Sequence, residues 1–225
     1  MVDWSVAGVV LVHGAWHGAW CWDGVVDELT AAGVPVTAVE LPLTSLDDDV
    51  AVARHAISHQ GGDMIVLGHS YGGLVISEAA SGMPEVSRLV YLAALMINTG
   101  EDMVELMTEH ESEMLGASVP EGNGFVVDRA RAAQLLYGDS DEAVVESLLP
   151  RLRPMHVQSL RAQRLPAWRD TPSTYVICSN DRAIPPSLQR QMATRADVVE
   201  EWPTDHSPFL TRPAAIAALL SRCGS

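Results

Sequence analysis

Gly68-His69-Ser70-Tyr71-Gly72 lies between an apolar run, Met64-Ile65-Val66-Leu67, and a helix-forming stretch, Leu74-Val75-Ile76-Ser77-Glu78-Ala79-Ala80. Few folds accommodate that order. A glycine-flanked serine between a strand and a helix takes a sharp, strained turn that lifts its hydroxyl above the carboxyl ends of a sheet. Glycines at Gly68 and Gly72 leave room where side chains would collide. The free N–H groups of the first helical turn face the same point and favour negative charge there. Ser70 is therefore read as a nucleophile, with an ordinary glycine-rich turn as the competing reading.

The surrounding pattern is α/β. Ala7 to Val12 is a continuous, valine-rich apolar run, as expected of a strand buried on both faces of a parallel sheet. Trp20 to Ala32 reads as a helix closed by Gly33, and Val34 to Leu41 as a strand stopped by Pro42. A helix over Asp47–His59, a strand over Met64–Leu67, a helix to about Ser81 and a strand over Arg88–Ile97 follow. Alternation at these lengths predicts one domain, a mostly parallel, doubly wound sheet. From about 98 to 170 no convincing strand is visible, and glycines and prolines break up short helical pieces, so this stretch reads as an inserted helical cap. Its methionines and leucines suit either a lid over an apolar cavity or the cap's own packing. Alternation resumes with a strand over Thr174–Cys178, a helix over Pro186–Ala196, a strand over Val198–Trp202 and a last helix from about Pro213 to Cys223.

Composition narrows the partners. The formal net charge is -15, and all 14 basic residues are arginine. Such a surface repels phosphate backbones and anionic membranes, so neither nucleic acid nor a membrane is expected as a partner. Met1 to Ser5 lacks the pattern of a secretion signal, and the longest apolar run, Leu89 to Ile97, is about half of the roughly 20 residues a membrane span needs. A cytoplasmic protein is the expectation. Cys21, Cys178 and Cys223 are widely separated and suggest neither a disulfide framework nor a zinc site.

A serine hydroxyl needs an imidazole to take its proton. Of eight histidines, His206 is best placed, in a loop after the last strand, in the chain order serine, acid, histidine. His69 adjoins the nucleophile, and its side chain is expected to point elsewhere. Asp181, closing a strand, is favoured as the acid that orients the imidazole; Asp205 is the rival, too near His206 in sequence to reach the far ring nitrogen. The backbone N–H of Tyr71 is one expected oxyanion donor. The loop His13-Gly14-Ala15-Trp16 offers the other at Ala15, with Gly14 permitting close approach. His13 and His17 could instead be read as metal ligands, but no third ligand has suitable spacing, so no metal and no cofactor are expected.

Together, Val12-His13-Gly14-Ala15-Trp16-His17-Gly18-Ala19-Trp20-Cys21-Trp22, the Ser70 pentapeptide, Asp181-Arg182-Ala183-Ile184-Pro185 and Asp205-His206 resemble the α/β-hydrolase superfamily. More narrowly they resemble its branch of plant methyl esterases, hydroxynitrile lyases and bacterial esterases, with similarity fading in the cap. That resemblance implies an ester hydrolase with the triad Ser70, Asp181 and His206 and the oxyanion donors Ala15 and Tyr71, acting on a small to medium, largely apolar ester. Hydroxynitrile lyases of this branch carry threonine and lysine where this chain has Gly14 and Ser207, which weakens a lyase reading. A small-molecule receptor or carrier and a biosynthetic lyase or cyclase are the alternatives.

Overall fold

The computed structural model describes residues 6–160 and 162–224. β1 (Gly8–Val12) leads through a 3-10 turn at Ala19–Trp22 into α1 (Asp23–Ala31), β2 (Val36–Val39) and α2 (Leu46–Gln60). Next come β3 (Met64–His69), α3 (Gly72–Ala79) and β4 (Val86–Leu92). A long excursion holds α4 (Met103–Glu109), β5 (Ser118–Glu121), β6 (Gly124–Val127), α5 (Arg129–Leu136), α6 (Glu142–Leu148) and β7 (Met155–His156). Beyond it lie β8 (Ser173–Cys178), α7 (Pro186–Ala193), β9 (Val198–Trp202), α8 (Pro208–Thr211) and α9 (Pro213–Cys223).

The main sheet runs β2-β1-β3-β4-β8-β9, with every neighbouring pair parallel. Alternate residues of its strands feed two separate cores. Val10, Val12, Met64, Val66, Leu89 and Tyr91 pack with α2, α3 and α7, whereas Val9, Leu11, Ile65, Leu67 and Val90 pack with α1, α9 and Phe209. This is why β1 and β3 read as unbroken apolar runs: both faces are covered, and each fully buried aliphatic side chain contributes about 1.5–3 kcal/mol. Chain order reverses at β1, whose neighbours are β2 on one side and β3 on the other. Crevices beyond the carboxyl ends of strands open at such a reversal.

Several elements differ from the sequence reading. The excursion is not purely helical: β5, β6 and β7 form an antiparallel three-stranded sheet, with Ser118 opposite Val127 and Phe125 opposite Met155. Pro120 is tolerated there because β5 is an edge strand, and Gly124 because the Met155 carbonyl occupies the space a side chain would fill. β4 ends at Leu92, five residues early, where Ala93 turns to φ +44°. β2 stops at Val39 because the Leu41 N–H is donated to the His13 ring rather than to the ladder. The expected Trp20–Ala32 helix begins as a 3-10 turn, and the short α8 was not expected. Among the described residues no helix is long and apolar enough to cross a membrane.

Candidate active site

The turn after β3 forces its central residue into left-handed backbone. Ser70 has φ +53°, unfavourable for a residue with a side chain. Neighbours hold it there: its N–H donates to the Leu92 carbonyl at 3.3 Å, and its carbonyl accepts from the Gly73 and Leu95 N–H groups at 3.0 Å each. The loop after β1 passes directly beside it. A methyl group added to Gly14 would lie 2.8 Å from Ser70 Cβ and 2.9 Å from His69 Nδ1, so only glycine fits that crossing.

Across the sheet, the loop after β9 supplies His206 and the loop after β8 supplies Asp181, both buried. The His206 Nδ1 lies 2.7 Å from Asp181 Oδ2. That carboxylate accepts three further bonds: Ala183 N–H at 2.7 Å, Ile184 N–H at 3.0 Å and the Gln189 side-chain amide at 2.7 Å. With Nδ1–H committed to Asp181, the lone pair of the ring is left on Nε2. His69 fixes the loop from behind, its Nε2–H donating to the His206 carbonyl at 2.8 Å. Its side chain thus points away from the cavity, as expected. Asp205 turns elsewhere, accepting from the Ser207 N–H at 2.9 Å and the Asp139 N–H at 3.0 Å.

Ser70 and His206 line one cavity of about 260 Å³, together with Ala15 and Tyr71. Its other walls are Trp16, Leu95, Ile184 and, from the excursion, Met103, Met107, Met114, Phe125 and Met155. Among the described residues, no aspartate, glutamate or arginine side chain lines it.

Three histidines around the loop are held neutral. Burial lowers the His13 pKa to about 3 and that of His17 to about 4, and pushes His69 well below its ordinary value. Both nitrogens of His13 are engaged, by the Gly14 carbonyl at 2.8 Å and the Leu41 N–H at 3.0 Å. Those of His17 meet the Ala15 carbonyl and the Tyr137 hydroxyl, each at 2.8 Å. The pair therefore serves the loop's conformation. In a trans peptide the carbonyl and the next N–H point in opposite directions, so anchoring Gly14 O turns the Ala15 N–H away from His13.

Sequence reasoning missed Gln189, Asp49 and Arg153. Gln189 could have been found, because it shares the apolar stripe of α7 with Leu188 and Met192, where a polar residue needs an explanation. Asp49, wholly buried, accepts from the Tyr71 hydroxyl at 2.6 Å and the Leu43 N–H at 2.8 Å.

Comparison with known proteins agrees with this architecture. Residues 9–219 match the alpha/beta hydrolase family. Pheophorbidase of Raphanus sativus is 29% identical over 266 residues, covering 99% of this chain and 96% of that protein. Methylesterase 3 of Arabidopsis thaliana is 27% identical over 246 residues, 94% of each. The crystal structure of polyneuridine aldehyde esterase superposes with a TM-score of 0.82 at 22% identity, over 97% of this chain and 99% of that one. With the sheet order, the turn after β3 and a match spanning nearly all the described strands in agreement, the chain belongs to the alpha/beta hydrolase family.

Proposed function

We propose that the protein is a serine esterase hydrolysing small to medium, largely apolar carboxylic esters. The observation that carries the reading is the shared cavity: Ser70 and His206 line it together, and His206 is tied through Nδ1 to buried Asp181 at 2.7 Å. His206 Nε2 takes the Ser70 proton as Oγ adds to the ester carbonyl, and Asp181 stabilises the imidazolium that results. The N–H groups of Ala15 and Tyr71 receive the oxyanion, aided by the N-terminus of α3. Collapse of the adduct expels the alcohol, which takes the proton from His206. Water activated by the same imidazole then hydrolyses the acyl-serine. Every step uses groups of this chain and water.

The apolar character of the described cavity wall supports an apolar substrate, because a carboxylate placed against those side chains would lose hydration without gaining a partner. The relatedness to a methylesterase supports ester chemistry. A panel of chromogenic esters of increasing acyl length tests the reading, with Ser70→Ala alongside. Turnover with an initial burst, abolished in Ser70→Ala, is expected; turnover retained by that variant refutes the assignment.

A further inference from the structure

Four consecutive carbonyls of the loop after β1 are each held by a specific donor. His13 and His17 hold those of Gly14 and Ala15 from within the loop, at 2.8 Å each. The next two are held from the excursion between β4 and β8. The backbone N–H of Arg153 donates to the Trp16 carbonyl at 2.8 Å, and the Arg153 guanidinium donates to the His17 carbonyl at 2.8 and 3.3 Å. The same guanidinium reaches the Leu41 carbonyl at 3.0 Å and pairs with Glu40, whose other oxygen accepts the Ala19 N–H at 2.7 Å.

These bonds converge on strained backbone. Trp16 has φ +62°, an unfavourable conformation for a bulky side chain, and it is the residue that follows Ala15. Bonds to the carbonyls on either side of it oppose relaxation. Each carbonyl fixes the direction of the next N–H, so His13 sets the Ala15 N–H through the Gly14 carbonyl. The Arg153 bonds to the carbonyls of residues 16 and 17 hold the strained backbone that follows and keep that peptide from turning. The Glu40–Arg153 pair is half-exposed, so as an ion pair it contributes little to stability. A forked donor spanning two carbonyls and a carboxylate is a task for guanidinium that an ammonium cannot reproduce.

We propose that Arg153 is a positioning residue, a clamp by which the excursion sets the loop carrying the Ala15 oxyanion donor. This rests on the esterase reading above. The excursion is then more than a cover, since the site is fully formed only when it is docked.

The experiment compares two inhibitors. A trifluoromethyl ketone adds Ser70 Oγ to its carbonyl carbon; the hydroxyl proton passes to His206 and the carbonyl electron pair becomes an oxyanion. The matched methyl ketone binds without adding. Arg153→Met is expected to weaken the trifluoromethyl ketone and lower kcat by about 10–100-fold, less than the roughly 10²–10³ for outright loss of a donor. The methyl ketone affinity and KM should stay within about threefold. Equal weakening of both inhibitors, or no change in either, overturns the clamp. Arg153→Lys keeps the charge and the stem, and about tenfold weakening of the trifluoromethyl ketone alone is expected. If Arg153→Met fails to fold, unchanged kcat and inhibition in Arg153→Lys overturn the proposal. An unaltered protein without Ser70-dependent turnover would refute the esterase reading instead.

Discussion

The side-chain amide of Gln189 donates to Asp181 Oδ2 at 2.7 Å, on the same oxygen that faces His206 Nδ1. Its Nε2 also donates to the Ile184 carbonyl at 2.7 Å, and its Oε1 accepts from the Cys178 N–H at 2.9 Å. One wholly buried amide thereby ties the end of β8, the carboxylate and a wall of the cavity together. A hydrogen bond to a charged group is worth about 1.5–3 kcal/mol. Replacing Gln189 by methionine keeps the volume and removes every one of these bonds. We expect kcat to fall about 10–100-fold with KM little changed, and Tm to fall by several degrees. Steady-state kinetics and thermal melts check both, and an unchanged kcat would mean that Asp181 is held well enough without the amide.

Gly14→Ala places a methyl group 2.8 Å from Ser70 Cβ, between two segments that are each anchored by backbone bonds. Neither can retreat cheaply. The expected result is at least a 100-fold loss of kcat/KM, on the order of 3 kcal/mol, from displacement of the loop or of Ser70. Gly33→Ala is the control. That glycine has φ +75° but open space around it, so its substitution should cost stability and leave kcat untouched.

Legibility followed burial. β1, β3 and β8 are covered on both faces; unbroken apolar runs mark β1 and β3, and the β-favouring Thr174-Tyr175-Val176-Ile177-Cys178 marks β8. Ser70, Asp181 and His206 each follow a strand of that sheet in the sequence, and the structure brings Ser70 and His206 to one cavity with Asp181 behind the imidazole. The excursion was opaque for the opposite reason. Its strands are short, half-exposed and carry Pro120, so neither a period of two nor a long apolar run marks them. One signal is present in the sequence: Gly122-Asn123 is the two-residue loop of the hairpin, between paired Glu121 and Gly124 with Gly122 at φ +58°, whereas the glycines of this stretch are read above only as helix breakers. Gln189 and Arg153 act through groups distant in sequence, and no local spacing reveals such partners.

Acid should destabilise the protein below neutrality. His13, His17 and His69 all have pKa values lowered by burial, His13 to about 3 and His17 to about 4, against an ordinary value of 6.5. A depressed folded-state pKa means that the unfolded chain binds protons first as pH falls. The contribution is intact above about pH 6.5 and is lost progressively towards pH 4 and 3. Each such group adds a slope approaching about 1.4 kcal/mol per pH unit. Asp49 and Asp205 act in the opposite sense: burial raises their pKa values above 3.8, so the folded state takes up their protons first and a partial offset builds as pH falls towards 3.8. Melts at pH 7, 6 and 5 should show Tm dropping, with a shallower slope in His13→Asn; a flat Tm across that range would contradict neutral burial of these rings.

Chain-length preference should follow the methionine wall. Met103, Met107, Met114 and Met155 line a cavity of about 260 Å³, and each is unbranched, so substrate can displace it at little cost. Each methylene of an ester buried there should raise kcat/KM about fourfold, from roughly 0.8 kcal/mol per group, until the cavity is full. Met107→Ala removes three side-chain heavy atoms from the wall. The acyl length at which the rise stops is then expected to move outward by about two to three methylenes, while short esters lose only a few-fold in kcat/KM. Measuring the break point in both proteins decides the matter. A break that stays at the same length would place the acyl chain along another wall, away from α4, and Leu95 or Phe125 would be the residues to shorten next.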